Sequence, residues 1–380
     1  MNYALDTIEL DVERVRESLT IARTGLVDRE LIAEAIMLCL VAREHLLVIG
    51  APGTAKSEAV RRVASLLGGG YFEYLLGRFT EPNEIFGPVD LRRLREGVVE
   101  IETSGMLPEA EVAFLDEVFL GSTAILNTLL GILNERMFRR GNTILNCPLR
   151  VCVGAANVLP DDPTLAAFGD RFLARMFVDP VADSRLEELL EAGDRSWTQP
   201  GSADGSLMAA VDRLAEAARL VSLDDVRPMV ASAIRRMRGA GIEISDRRAV
   251  RAQRLIAAAT ALDTRTSACA ADLWVLPLVA PTADTQALAR DALAGLLAES
   301  ANRTLIYSAE ELSRGILARA RRLASDGTAL LTDLASGQYP DDGQLRVEAA
   351  LREIDASLGQ LDQPADLVDV RQRLMNALGR

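Results

Sequence analysis

The sequence predicts an α/β fold built on a parallel sheet, followed by all-helical regions that run to the end of the chain. Three short apolar runs carry this prediction: HLLVIG from His45, VAFLDE from Val112 and RVCVGAAN from Arg150. Continuous apolar runs of this length are typical of parallel strands that helices cover on both faces. The first run is followed by a glycine-rich turn and a helical stretch, the order in which an α/β unit begins.

Four further elements are predicted around these strands. Residues from Asp28 to Glu44 have apolar side chains at helical spacing, with Asp28 as the candidate N-cap, and a second helix is predicted from Glu58 to Leu67. The segments from Gly87 to Leu107 and from Arg136 to Leu149 alternate in polarity around turn residues. Each of these two segments is therefore predicted to be a β-hairpin.

Shifts in composition divide the chain into four predicted parts. Glycine, serine, proline and aspartate dominate residues 193–206, which is typical of a linker. Beyond it the sequence is alanine-rich and predicts helices, with a break at GQYPDDG, residues 337–343. The predicted parts are an α/β domain over 1–192, a linker over 193–206, an all-α domain over 207–284 and a helical C-terminal extension over 285–380.

Charge and the rarer residue types limit the classes of function. A net charge of −13 opposes a phosphate backbone at long range, so nucleic-acid binding is disfavoured. His45 is the only histidine, which excludes a metal centre built on several histidines.

The N-terminal segment lacks the apolar core of a signal peptide, and no apolar stretch is long enough to span a bilayer, so a cytoplasmic protein is expected. The cysteines form no CxxC pair and are expected to be buried free thiols: Cys39, Cys147, Cys152 and Cys269.

The strongest motif is GAPGTAKS, which lies between a predicted strand and a predicted helix. Main-chain N–H groups of such a loop point at phosphate oxygens, and the helix N-terminus adds partial positive charge. Lys56 is predicted to reach the β- and γ-phosphates of a nucleotide, and Ser57 to offer its hydroxyl to Mg²⁺. The usual pattern has glycine where this chain has Ala55, whose extra methyl group is expected to leave binding intact. The predicted nucleotide-binding loop comprises Gly50, Ala51, Pro52, Gly53, Thr54, Ala55, Lys56 and Ser57.

Acidic and amide side chains end the second and third apolar runs. Asp116 is predicted to hold Mg²⁺ through its water shell, and Glu117 to polarise the water that attacks the γ-phosphate. An apolar run followed by Asp-Glu is a weak signal alone, and it gains weight from the phosphate loop upstream. Asn157 is predicted to position that water or to contact the γ-phosphate, with an exposed loop asparagine as the alternative.

Four arginines are candidates for stabilising charge on the γ-phosphate. Arg171 and Arg175 in FGDRFLARMFVDP are four residues apart, so on a helix they would share a face. An arginine presented to a neighbouring subunit's nucleotide would stabilise the transition state. SDRRAVRAQR predicts a helix that begins at Ser245, from which Arg247 or Arg248 would enter the nucleotide site. Surface arginines paired with acids remain the alternative.

The order of these motifs resembles that of AAA+ ATPases. The stretches FEYLLGRFTEPNEIFGPVDL, TSGMLPEAEVAFLDEVF and AILNTLLGILNERMFRRG resemble the MoxR family. The loop with Ala55, the run GAAN followed by LPDD, and ISDRR resemble its RavA branch. The resemblance covers roughly Leu26 to Ala261, and the C-terminal extension lies outside it. It implies a P-loop AAA+ core followed by an all-α lid domain, with both hairpins near the pore of a hexameric ring.

The resemblance also implies a role for each candidate residue. The implied roles are Lys56, Ser57 and Asp116 for ATP and Mg²⁺, Glu117 as catalytic base, Asn157 as sensor 1, Arg171 as arginine finger with or without Arg175, and Arg247 as sensor 2 with Arg248 as the alternative.

The family is similar to chaperone-type motors, which implies that ATP hydrolysis remodels or assembles protein targets. It also implies a partner that carries a von Willebrand factor A domain. Two other functions stay open: a nucleic-acid motor, and a scaffolding protein that binds ATP with little turnover. The nucleic-acid motor draws its support from the basic residues of the two predicted hairpins, which are Arg92, Arg93, Arg95, Arg136, Arg139 and Arg140.

Overall fold

The computed structural model describes residues 2–24, 26–195, 205–335, 343–358 and 365–377. Within these ranges the strands form one parallel sheet and one short antiparallel pair. The strands are β1 (Leu46–Gly50), β2 (Tyr71–Leu75), β3 (Val112–Asp116), β4 (Met137–Arg140), β5 (Thr143–Asn146), β6 (Val151–Ala156) and β7 (Ala174–Val178).

Helices surround the sheet and predominate in the described residues after β7. The first eight are α1 (Asn2–Arg23), α2 (Glu30–Ala42), α3 (Lys56–Leu67), α4 (Pro82–Phe86), α5 (Leu91–Arg95), α6 (Thr123–Glu135), α7 (Pro163–Gly169) and α8 (Leu186–Arg195). The others in the described ranges are α9 (Ser206–Leu220), α10 (Arg227–Gly239), α11 (Asp246–Leu262), α12 (Ala283–Leu297), α13 (Ile306–Arg314), α14 (Ile316–Ala335), α15 (Gly343–Leu358) and α16 (Ala365–Ala377).

The parallel sheet has the strand order β2-β3-β6-β1-β7. Leu46 on β1, which lies between β6 and β7, pairs in register with Val153 on β6 and with Ala174 on β7. Because all five strands run in one direction, every strand ends at the same edge of the sheet, here named the carboxyl edge. The opposite edge, where the strands begin, is named the amino edge.

The parallel α/β fold and the three predicted strands are confirmed, and the sheet has two strands that the sequence did not predict. β2 is an edge strand whose residues are mostly half-exposed, so it lacks the continuous apolar run that marks a buried strand. β7 lies within the segment whose arginines were assigned to a helix. Its residues form a strand because they pair with β1 at the other edge of the sheet.

Alternate residues of β1 face opposite sides of the sheet and belong to two separate cores. Leu46 and Val48 pack with helices α1 to α3 and with helices α9 to α13. Leu47 and Ile49 pack with α6 and with Phe138 of the antiparallel pair. The sheet is therefore covered on both faces, as the apolar runs predict.

Helix α2 starts later than the sequence predicts. α2 begins at Glu30, and Asp28 does not cap it. The backbone of Asp28 is left-handed, with φ 55°, and its carboxylate accepts a hydrogen bond from Arg185 instead. The prediction of Asp28 as N-cap was wrong because a distant arginine competes for that carboxylate. α3 begins at Lys56, two residues before the predicted start.

One of the two predicted hairpins is confirmed. β4 and β5 pair antiparallel around the turn at Gly141 and Asn142. The other prediction was wrong, because residues 91–95 form helix α5. The side chain of Asp90 accepts hydrogen bonds from the main-chain N–H groups of the first turn, which caps and starts that helix. An isolated antiparallel bridge joins Val89, just before this helix, to Ile101 after it.

The helical second half packs on the α/β core. α9 contacts α1, α2 and α11, and all four contribute to one hydrophobic cluster. Helices α14 to α16 form a cluster of their own. Most of the predicted linker 193–206, and the predicted break at 337–343 except its last residue, lie outside the described residues. The predicted boundaries of the four parts stay predictions.

The cysteines and the histidine are mostly interior. Cys39, Cys147 and Cys152 are buried, but Cys269 is exposed, so the prediction that all four are buried was wrong for this residue. His45 is fully buried, and its Nδ1 accepts a hydrogen bond from the main-chain N–H of Cys152. Burial holds the pKa of His45 well below its usual range, so the ring is neutral. Among the described helices, we find none with the length and apolar character needed to cross a membrane.

Candidate active site at the carboxyl edge

The GAPGTAKS loop connects the end of β1 to the start of α3 at the carboxyl edge. Lys56 is the first residue of α3, and its Nζ donates hydrogen bonds to the carbonyl oxygens of Gly50 at 2.7 Å and Ala51 at 2.9 Å. Burial lowers the pKa of Lys56, while the charges of Asp116 and Glu117 act in the opposite direction. The ammonium group is thus held at the mouth of the loop, beside two carboxylates.

Three residues of this loop need unusual backbone geometry or space. A Cβ on Gly50 would lie 2.4 Å from the carbonyl oxygen of Val178, so only glycine fits there. Gly53 has φ 79° and Ala55 has φ 56°, both in the left-handed region. For alanine this conformation costs about 1–2 kcal/mol. The substitution of glycine by Ala55 therefore adds backbone strain, which the sequence interpretation of an extra methyl group alone did not include.

Asp116 ends β3 next to the loop. The hydroxyl of Ser57 donates to its Oδ2 at 3.4 Å, and its Oδ1 accepts the main-chain N–H of Glu117 at 2.9 Å. A hydroxyl and a carboxylate are the hard oxygen ligands that Mg²⁺ prefers. The donor set of Ser57 and Asp116 thus fits a magnesium ion.

Glu117 follows the strand with a left-handed backbone, φ 50° and ψ 46°. Such strain in a residue other than glycine is concentrated at functional sites. Burial raises the pKa of Glu117, and the negative charge of Asp116 raises it further. A carboxylate with a raised pKa is better matched to taking a proton near neutral pH.

Asn157 completes the group from the neighbouring strand. It follows β6, which lies between β1 and β3, and its Nδ2 donates a hydrogen bond to Oε1 of Glu117. The strand order therefore brings together the side chains that the sequence placed on three separate strands. The residues that meet at the carboxyl edge are Lys56, Ser57, Asp116, Glu117 and Asn157.

The structure does not bring the candidate arginines to this edge. Arg171 precedes β7, and five residues of β7 separate it from the carboxyl edge. A strand rises about 3.3 Å per residue, so this separation is roughly 16 Å. Arg171 thus lies at the amino edge, across the sheet from the chain's own phosphate loop.

Arg175 lies on β7 and not on a helix with Arg171, so the prediction of a shared helix face was wrong. Strand pairing with β1 overrides the helical spacing. The side chain of Arg175 is buried and its Nη1 donates to the carbonyl of Pro281 at 2.6 Å. Burial, together with the positive charge of the nearby Arg248, lowers its pKa to about 10.

Arg247 and Arg248 are also at the amino edge. Helix α11 begins after the cap Ser245, as the sequence predicts. Arg248 is 3% exposed and donates to the carbonyl of Leu173, just before β7 begins. Arg247 is exposed, donates to Oδ1 of Asn134, and lies close enough to Arg171 for that charge to contribute to lowering its pKa. Neither arginine enters the chain's own carboxyl edge in this structure.

Arg29 is a residue near the site that the sequence interpretation missed. It is 3% exposed, and its Nε donates to the carbonyl of Thr54, inside the phosphate loop, at 2.6 Å. Arg29 is the N-cap residue of α2, where the helix macrodipole disfavours its positive charge. An arginine at the start of a predicted helix, where the macrodipole disfavours positive charge, was the available sequence signal for Arg29.

Comparison with known proteins shows the family of the chain. The family model of the MoxR domain in MoxR–vWA–β-propeller ternary systems matches residues 13–223, more than half of the chain. The chain belongs to the MoxR family. This MoxR chain is also similar to the protein named chaperone MoxR1 of Mycobacterium tuberculosis, with 25% identity over 184 residues, 47% of this chain and 48% of that protein.

Two relatives come from Methanocaldococcus jannaschii. The MoxR chain is 35% identical to the uncharacterized protein MJ0812 over 239 residues, which are 62% of this chain and 62% of that protein. It is 33% identical over 267 residues to the uncharacterized protein MJ0079, 70% of this chain and 68% of that one. The match thus spans less than two thirds of the first relative's length.

A solved structure from Cytophaga hutchinsonii, named provisionally as an ATPase, has a similar fold. The TM-score is 0.61 at 14% identity, over 79% of this chain and 98% of that one. At this identity the likeness concerns the fold alone. It extends beyond the sheet into the helical second half, so the predicted AAA+ architecture with a helical extension is confirmed.

Proposed function

We propose that this MoxR-family chain hydrolyses ATP as one subunit of an AAA+ ring that remodels or assembles protein targets. The observation that carries the proposal is the meeting of Lys56, Ser57, Asp116, Glu117 and Asn157 at the carboxyl edge. A phosphate-directed cation, two oxygen ligands for a metal, a carboxylate base and an amide are the groups that phosphoryl transfer to water requires.

The phosphate loop would bind ATP through its main-chain N–H groups and the N-terminus of α3. Lys56 would exchange its two carbonyl partners for β- and γ-phosphate oxygens, because its ammonium group already lies at the loop mouth. Ser57 and Asp116 would hold Mg²⁺. When bound, Mg²⁺ neutralises charge that develops on the phosphate oxygens.

Glu117 would act as the general base for the attacking water. Its raised pKa favours proton uptake, and Asn157 fixes the direction of its carboxylate. A carboxylate held by an amide is pre-oriented, so less reorganisation is needed in the transition state. This hydrogen bond supports the proposal that Asn157 is sensor 1.

Arg171 and Arg247 would act on the ATP of a neighbouring subunit. Both lie at the amino edge, and the strand rise places Arg171 roughly 16 Å from the carboxyl edge, so they are badly placed to act in their own subunit. Their guanidinium groups are close enough to interact. This placement supports a homo-oligomeric ring, for which a hexamer is the proposed form. Arg175 and Arg248 are buried, and their proposed role is to stabilise the segment that carries Arg171.

The proposed partner is a protein with a von Willebrand factor A domain. Its support is the family description, which concerns MoxR domains in ternary systems with vWA and β-propeller components. Chaperone action is proposed from the name of the Mycobacterium tuberculosis relative. The finer assignment to the RavA branch and a cytoplasmic location rest on the sequence motifs alone.

A nucleic-acid motor is the second candidate. Two of its six basic residues form ion pairs in the described structure: Arg93 bonds to Glu96 and Glu100, and Arg139 lies 3.4 Å from Glu135. These pairs, together with the net charge of −13, favour protein targets over nucleic acid.

The test measures binding of a fluorescent ATP analogue and release of phosphate for the parent protein, Lys56→Ala and Glu117→Gln. We expect no binding for Lys56→Ala. Glu117→Gln should bind normally and hydrolyse about 10²–10⁴-fold more slowly, the usual contribution of a general base. Asp161→Asn, an exposed acid in the loop after Asn157, serves as the control and should retain the parent rate. Parent-like hydrolysis by Glu117→Gln would contradict the proposed role.

The targets can be sought with the same variant. Glu117→Gln loaded with ATP should retain bound proteins, because a motor that does not hydrolyse ATP does not release them. The partner proposal is supported if ATP-loaded Glu117→Gln recovers a protein with a von Willebrand factor A domain from the native host and Lys56→Ala does not. Recovery of nucleic acid instead would favour the second candidate.

A further inference from the structure

Arg29 is a buried arginine whose partners are carbonyl oxygens on three different segments. Nε donates to Thr54 at 2.6 Å, Nη1 to Asp28 at 2.6 Å and Nη2 to Asp179 at 3.0 Å. Thr54 belongs to the phosphate loop, and Asp179 directly follows β7. One guanidinium group therefore ties the loop to the end of the neighbouring strand.

Burying this charge is costly, and within the described residues no carboxylate forms a salt bridge with it. Burial lowers the pKa of Arg29, which the more distant charges of Asp28, Glu30 and Asp179 only partly offset. An arginine stays protonated in a protein, so the positive charge remains. A buried charge of this kind costs several kcal/mol, which favours a role beyond packing.

The charge of Arg29 reaches the phosphate site. Arg29 contributes to the lowered pKa of Lys56, although burial is the largest cause there. Two positive charges thus lie close together beside the loop, one mobile on Lys56 and one fixed on Arg29. Like charges repel, and a polyphosphate between or beside them would relieve that repulsion.

Arg29 also holds the most strained part of the loop. Thr54 lies between Gly53 and Ala55, which have φ 79° and φ 56°. The carbonyl that Arg29 binds belongs to the peptide group joining Thr54 and Ala55. Fixing this carbonyl sets the direction of the Ala55 N–H, because the peptide group is planar. A loop with left-handed Ala55 would otherwise relax towards conformations that alanine prefers.

We infer that Arg29 is a positioning residue of the nucleotide site: it fixes the Thr54–Ala55 peptide so that its N–H can face phosphate, and it adds a fixed positive charge beside Lys56. This inference rests on the proposed ATP-binding function. Arg29 acts through the loop, and no contact between Arg29 and the nucleotide is required.

The experiment compares Arg29→Gln and Arg29→Lys with a matched control, Arg136→Lys. Arg136 is also a mostly buried arginine that donates to carbonyls, including that of Arg43 at 3.0 Å, and burial lowers its pKa to about 10. It lies at the amino edge, away from the loop. The probe is a fluorescent ATP analogue, and thermal unfolding monitors stability in parallel.

We expect Arg29→Gln to weaken binding of the ATP analogue by about 10- to 100-fold, which corresponds to loss of hydrogen bonds from a charged donor. Arg29→Lys keeps the charge but not the three fixed directions, so it should lie between Arg29→Gln and the parent. Arg136→Lys should lower thermal stability without weakening nucleotide binding. If the parent itself binds no ATP analogue, the proposed function fails first.

A second variant separates positioning from folding. Ala55→Gly removes the strain of the left-handed alanine, so it should recover at least about 3-fold of the affinity that Arg29→Lys loses. It should have less effect on the parent, in which Arg29 already holds the loop. Parent-like affinity in Arg29→Gln would overturn the inference. Equal losses of affinity in Arg29→Lys and Arg136→Lys, or no recovery by Ala55→Gly, would also overturn it.

Discussion

Asn157 and Glu117 are joined by a hydrogen bond in which the Asn157 amide donates to the Glu117 carboxylate. The bond links the ends of neighbouring strands and holds the proposed base towards the phosphate loop. Replacing the amide by a carboxylate removes the donor and adds a like charge. Asn157→Asp should therefore raise the pKa of the Glu117 carboxyl group beyond the increase caused by burial and Asp116.

The pH profile of ATP hydrolysis by Asn157→Asp should show this change. A base with a higher pKa stays protonated to higher pH, so the acid limb of the profile should move to higher pH and the rate at pH 7 should fall. Asn157→Ser removes the amide without adding charge and separates loss of the hydrogen bond from repulsion. An acid limb at the same pH in Asn157→Asp and parent would show that the two side chains do not act together.

Arg171 lies at the opposite edge of the sheet from Lys56, which predicts complementation between variants. Arg171→Ala and Lys56→Ala should each lose about 10³-fold or more in ATPase rate, the usual value of an arginine that stabilises phosphoryl transfer. When the two are mixed, some interfaces pair an intact loop with an intact arginine. Activity should then partly return, and the specific activity of the parent should rise with protein concentration.

The control for this experiment is the double variant Arg171→Ala/Lys56→Ala mixed with Arg171→Ala. That mixture offers no interface with both groups intact, so no activity should return. Turnover that does not depend on dilution, together with no rescue when Arg171→Ala is mixed with Lys56→Ala, would argue against action between subunits. The proposal that the chain binds ATP would still stand.

DNA should not stimulate the ATPase. The net charge of −13 opposes a phosphate backbone, and Arg93 is already paired with Glu96 and Glu100 at 2.9 and 2.8 Å. The measurement is the ATPase rate with and without single- and double-stranded DNA at physiological salt. A many-fold increase would overturn the preference for protein targets. Charge removal by Glu96→Gln and Glu100→Gln should strengthen DNA binding and so report whether these pairs mask the arginines.

Glu34 predicts how stability depends on pH. Its side chain is fully buried on α2, accepts the N–H of Ser308 at 2.7 Å and pairs with Arg23. Burial raises its pKa from 4.5 to about 7. Between these two values the folded protein holds a proton that the unfolded chain releases, so this contribution to stability falls as pH rises through the window.

Glu34→Gln keeps an oxygen acceptor but does not titrate. The free energy of unfolding of the variant, relative to the parent, should therefore increase between pH 5 and pH 8, by at most about 3 kcal/mol. Urea unfolding at several pH values measures it. Glu216→Gln, which replaces an exposed acid on α9, is the control and should give a flat difference. A flat difference for Glu34→Gln as well would contradict the raised pKa.

The local elements of the site could be predicted from the sequence because their chemistry is carried by neighbouring residues. GAPGTAKS specifies a turn whose glycines permit unusual backbone angles, followed by a helix N-terminus. VAFLDE and GAAN are buried strands that end in polar side chains. Once parallel strands are assumed, their ends must meet at one edge. Lys56, Asp116, Glu117 and Asn157 follow from that reasoning.

Errors arose where a distant partner competes with the local preference. Asp28 would cap α2 in an isolated peptide, but Arg185 takes its carboxylate. Arg171 and Arg175 have helical spacing, but pairing with β1 makes Arg175 part of a strand. The error at residues 91–95 had a local cause instead, because Asp90 caps a helix there and this outweighed the alternation in polarity that predicted a hairpin.

By itself, the sequence determined the glycine-rich loop between a strand and a helix, the carboxylates at the end of β3 and the resemblance to the MoxR family, because short motifs fix these features locally. Only the tertiary structure decided on which edge of the sheet each candidate lies, and so separated Arg171 and Arg247 from the chain's own loop. It alone joined Arg29 to Thr54 across 25 positions of sequence. Strand order and long-range hydrogen bonds depend on the packing of the whole chain, which no local pattern encodes.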